Sequence, residues 1–60
     1  SLMYREGWTD DQQRQIEHLE RVAQPTDIDR GVLAALRITA VRDSERLRAQ
    51  TLAERWRTAS

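Results

Sequence analysis

The sequence predicts an all-α fold: a helical hairpin whose longer second arm pairs with a second copy to complete a four-helix bundle. Three observations predict it. Apolar residues recur at helical spacing along the chain. Two capping signatures mark helix starts, Thr9-Asp10-Asp11-Gln12 and Thr26-Asp27-Ile28-Asp29. The stretch Gly31 to Val41, GVLAALRITAV, holds eight apolar residues in eleven and is apolar on two sides.

The chain is short enough to be one small domain, residues 1–60. A domain of this size buries little surface and is marginal alone unless disulfides, a metal or other chains support it. Cysteine is absent, which excludes disulfides and thiolate metal sites. What remains is a well-packed helical core or association with other chains.

Residues 1–8 form an N-terminal arm that Gly7 keeps out of any helix, with Leu2, Met3, Tyr4 and Trp8 apolar enough to pack on something. Ser1 and Leu2 precede Met3 and read as an expression remnant. The first helix runs from Asp10 to Gln24. Thr9 caps it, and Asp10 and Asp11 suit the positive end of its dipole. Trp8 could begin a hydrophobic staple, but its partner position is Gln13, so the staple is incomplete. Ile16, Leu19, Val22 and Ala23 form its buried stripe, while Asp10 with Arg14 and Glu17 with Arg21 are i,i+4 pairs on a solvated face. Gln24-Pro25 ends it, because a residue before proline avoids the helical region. Thr26 then caps a second helix roughly antiparallel to the first.

No glycine or proline follows Gly31, so the second helix is expected to run unbroken from 27 to 57, ~46 Å at 1.5 Å per residue. The first helix, at 15 residues, reaches only ~22 Å. Leu47, Leu52 and Trp56 would then overhang, and a second copy would cover them. In the long helix Leu33, Leu36, Ala40 and Leu47 share one face, whereas Ala34, Ile38, Val41, Leu52 and Trp56 share another. Leu33, Leu36, Ile38, Ala40, Val41, Leu47, Leu52 and Trp56 are therefore the expected interface. Gly31, Ala34 and Ala35 would admit another backbone closely, although Gly31 also reads simply as a helix glycine costing about 1 kcal/mol. The alternative architecture is a three-helix bundle with a break near 42–44, where Asp43 or Ser44 would cap a third helix.

Charge is balanced overall but not along the chain. Residues 1–29 hold seven acids and three arginines, net −4; residues 30–60 hold seven arginines and three acids, net +4. Opposite halves favour side-by-side packing or pairing between chains. The zero total argues against general affinity for nucleic acid or acidic lipid. All ten basic residues are arginine, which suggests a GC-rich bacterial genome. No leader-like segment is evident, and the apolar stretch, interrupted by Arg37, is shorter than the ~20 residues a membrane span needs, so a cytoplasmic location is expected.

No residue pattern points to catalysis or to a cofactor. His18, the single histidine, lies near Arg14, Glu17 and Arg21 with no nucleophile motif about it and reads as a helix-flank residue. Glu17, His18 and Glu20 lack the paired histidines of a zinc helix, Asp27 and Asp29 sit where caps belong, and Gly7 and Gly31 are too isolated for a phosphate loop. The expectation is an interaction or regulatory protein, not an enzyme, whose partner is itself or another helical protein. The alternative is a small nucleic-acid-binding regulator of phage or plasmid type. Arg30, Arg37, Arg48 and Arg55 would line one strip of the long helix and follow a phosphate backbone. The plainer account of that strip is arginine stems lying on apolar stripes and paired with first-helix acids.

Overall fold

The computed structural model describes residues 7–58, and these form three α-helices without a strand: α1 (Asp10–Leu19), α2 (Asp27–Thr39) and α3 (Asp43–Thr58). Both predicted capping boxes are present. The Thr9 hydroxyl accepts from the Gln12 amide at 3.2 Å, and the Gln12 side chain accepts from the Thr9 amide at 3.0 Å. Thr26 and Asp29 exchange the same pair of bonds at 3.2 and 3.0 Å. Each box satisfies two amides that the first helical turn leaves free. Ser1 to Glu6, including the proposed remnant and the packing of Leu2, Met3 and Tyr4, lie outside the described residues.

One core joins all three helices. Ile16 and Leu19 from α1, Leu33 and Leu36 from α2, and Ala49, Leu52 and Trp56 from α3 close around it, with Ala40 and Trp8 at one end. Val32 and Ala53 pack at its edge.

Two expectations about helix length are corrected. The first helix stops at Leu19, not Gln24. Its last turn tightens into i,i+3 bonds, Arg21 N–H to the His18 carbonyl and Val22 N–H to the Leu19 carbonyl. Arg55 then donates to the Glu20 carbonyl at 2.7 Å, satisfying from α3 an acceptor that a glycine cap would otherwise serve. On the outer face Arg14 pairs with Asp11, one residue from the expected Asp10.

The second correction concerns the single helix over 27–57, which is broken at residues 40–42. Ala40 leaves α2 at φ −65°, ψ 131°, an extended conformation. No local breaker sits there. Glu45, in the first turn of α3, holds the bend. One carboxylate oxygen accepts from the amides of Val41 (3.0 Å) and Arg42 (3.1 Å), and the other accepts from the amide of Trp8 at 2.7 Å. The Trp8 indole lies buried in the angle and donates to the Leu36 carbonyl at 3.1 Å. Burial pushes the Glu45 carboxyl up, but the three amide donors and the Arg42 charge outweigh it, so the group sits below its ordinary value and stays ionised at neutral pH.

Gly7 completes this junction. Its φ of +108° is a region that L side chains rarely adopt, and a Cβ there would land on the Glu45 carboxylate, 3.0 Å from Cδ. Across the molecule, Gln12 donates to the Thr39 hydroxyl at 3.0 Å, and Thr39 donates back to the α2 carbonyls of Ala35 and Leu36. This ties the start of α1 to the end of α2.

Candidate interaction surface

α2 carries two apolar faces, as its sequence predicts, and the fold uses only one. Leu33 and Leu36 point into the core at 4% and 1% exposure. On the opposite side Ile28 and Ile38 are 78% and 83% exposed, with Gly31, Ala34 and Ala35 also exposed between them. The spacing Ile28, Gly31, Ala35, Ile38 follows the three-and-four rhythm of one helix face. Nothing lies within 4 Å of a Cβ built on Gly31, so the middle of this face is open and low. Large side chains at both ends and small ones between make a shallow saddle along the helix.

The expected interface residues divide accordingly. Leu33, Leu36, Ala40, Leu52 and Trp56 are buried by their own chain, which corrects the expected overhang of Leu52 and Trp56. The break at 40–42 folds α3 back along α2, so these side chains meet the core. Ile38, Val41 and Leu47 stay at the surface. Ile28 was not among the expected interface residues, because it sits inside a capping box. Its place seven residues before Ala35 and ten before Ile38 carries the signal.

A second apolar surface lies on α3. Leu47, 66% exposed, stands beside a groove of about 510 Å³ lined by Ser44, Arg48, Thr51, Leu52 and Arg55, with Glu20 at its end. Arg48 grips Glu20 through Nε at 2.7 Å and an Nη at 2.8 Å, the two-pronged geometry that suits a guanidinium. The Arg48 hydrogen bonds hold the Glu20 carboxyl below its ordinary value, and Glu20 raises Arg48 in return.

The four arginines expected in one strip are not one row. Arg48 pairs with the Glu20 carboxylate, as the pairing with first-helix acids anticipates, whereas Arg55 bonds only the Glu20 backbone carbonyl. Arg30 and Arg37 instead rim a shallow depression of about 140 Å³ floored by Leu33, Ala53 and Trp56. One strip requires a continuous helix, and the break gives α2 and α3 separate faces. His18 lies exposed in the last turn of α1. Among the described residues no group of three or more His, Cys, Asp or Glu side chains could hold a metal ion. No helix among them is long and apolar enough to cross a membrane. Comparison with known protein families, with curated proteins and with solved structures gives no match.

Proposed function

We propose that the protein is a non-catalytic interaction module that pairs with a second copy of itself through the outer face of α2. The observation that carries this reading is the self-complementarity of that face. In an antiparallel pairing about a two-fold axis near Leu33, Ile28 of one copy meets Ile38 of the other, and Gly31 meets Ala35. The two isoleucines lie about 15 Å apart along the axis at 1.5 Å per residue, so each pair closes one end of a contact whose small central residues let the backbones approach. Pairing α2 with α2 in this way brings six helices together, not the four expected of two hairpins.

Sedimentation over micromolar to millimolar concentration tests the reading. The expected result is a reversible monomer–dimer equilibrium that Ile38→Glu and Ile28→Glu each shift to monomer while helix content is unchanged. A chain that stays monomeric throughout, or a dimer indifferent to both substitutions, would overturn it.

A further inference from the structure

We infer that the α2–α3 junction is a hinge held bent by Trp8 and Glu45, and that releasing it lets α2 and α3 join into one long helix whose C-terminal half packs on the core of a second copy. This second mode of association uses the inner, core-forming face of α3 and does not rest on the α2 outer face.

No glycine or proline forces the bend. Residues 40–42 are Ala, Val and Arg; the nearest proline is Pro25, and the glycines are Gly7 and Gly31. At Ala40 φ is already helical at −65°, and ψ alone departs. The amides of Val41 and Arg42 would donate to the carbonyls of Arg37 and Ile38 in an unbroken helix. In the bent chain they donate to Glu45 instead. The bent and straight forms therefore both satisfy these two amides, and the choice passes to contacts distant in sequence. Those are the bonds of Trp8, 37 residues from Glu45 and 28 from Leu36, and the packing of α3 on the core.

Straightening has one large cost, which also identifies the occupant. Ala49, Leu52 and Trp56 would leave the core formed with Leu33 and Leu36. The surface that fits them without new design is the same vacated core in an identical chain. Exchange of an identical element across a short hinge restores every contact between copies. The hinge is short, three residues without a breaker, and the exchanged element is one whole helix, α3.

The absence of cysteine makes a direct measurement simple. Arg30 stands on the rim and Trp56 on the floor of one depression, and Arg57 follows Trp56, so spin labels at Arg30→Cys and Arg57→Cys report a short distance in the bent form. In a joined helix they are 27 residues apart, ~40 Å. Labelled chains diluted into unlabelled chains of the same variant report the distance within one chain by double electron–electron resonance. An Ile28→Glu/Ile38→Glu background removes pairing through α2, and the intrachain distance reads the hinge whether or not that pairing exists. Glu45→Ala, and the milder Glu45→Gln, are expected to shift the majority of chains from the short distance to ~40 Å at millimolar concentration, with a dimeric mass and no loss of helix. Adding Val41→Pro, which cannot continue a helix through the junction, is expected to restore the short distance and the monomer. A short distance retained in both Glu45 variants would overturn the inference, as would helix loss without the ~40 Å population, or a long distance that survives Val41→Pro.

Discussion

At the scale of single residues, Glu45 decides more of this structure than any apolar side chain. Its carboxylate collects amides from three places, and its neighbours are shaped to admit it. Gly7→Ala forces a left-handed conformation on alanine and sets a methyl group against the carboxylate; an order of 1–3 kcal/mol of destabilisation is expected in urea titration. The folded-state pKa of Glu45 lies below the ordinary 4.5, so its contribution is whole above that value and is lost as pH falls through the folded pKa. Glu20, held down by Arg48, acts in the same direction. The melting temperature should therefore fall as the pH drops below about 4.5, and Glu45→Gln should flatten that fall while lowering the neutral-pH plateau. A Glu45→Gln profile parallel to the wild type would refute the assignment. The sequence displays Glu45 plainly, yet its role was not legible. Asp43 and Ser44 are the residue types that cap helices, and no acid follows either three residues on. Arg42 occupies the position before the helix, and Glu45 stands three residues after it. Only the reciprocal half of a capping box is present, without a hydroxyl to announce it.

At the scale of elements, the starts of α1 and α2 were readable; the end of α1 and the break before α3 were not. Thr9 and Thr26 carry their signal within four residues, and both boxes formed. Thr26→Ala should cost about 1 kcal/mol, read from the denaturant midpoint at constant slope. The end of α1 depends on Arg48 and Arg55, some 28 and 35 residues further on, which no local window reveals. Arg48 and Glu20 are each about a third exposed, so their ion pair should contribute less than about 1 kcal/mol and weaken with salt. A double-mutant cycle of Arg48→Ala and Glu20→Ala at low and high salt measures it. Leu52 was expected at a partner interface and is 2% exposed within the chain, packed with Ile16, Leu19 and Leu36 in one core. Leu52→Ala should cost about 2–5 kcal/mol, with no dependence on protein concentration. A loss that vanished at high concentration would return Leu52 to an interface.

At the scale of the whole molecule, the all-helical class was legible from periodicity and caps, and the two-sided character of 31–41 was legible from its composition. The side to which each apolar residue turns depended on the bend. The opposite charge of the two halves reappears as the Glu20–Arg48 link between α1 and α3, within one chain. If the outer face of α2 pairs, the melting temperature should rise with protein concentration, and Ile38→Glu should abolish that rise. A wild-type melting temperature constant over a hundredfold dilution would count against pairing. Glu45 has a further consequence for how the molecule comes apart. Because one side chain accepts hydrogen bonds from Trp8, Val41 and Arg42, its loss frees all three amides at once. A single protonation there unfastens the entry segment and the elbow together, so native-state hydrogen exchange should find the three amides opening as one cooperative unit.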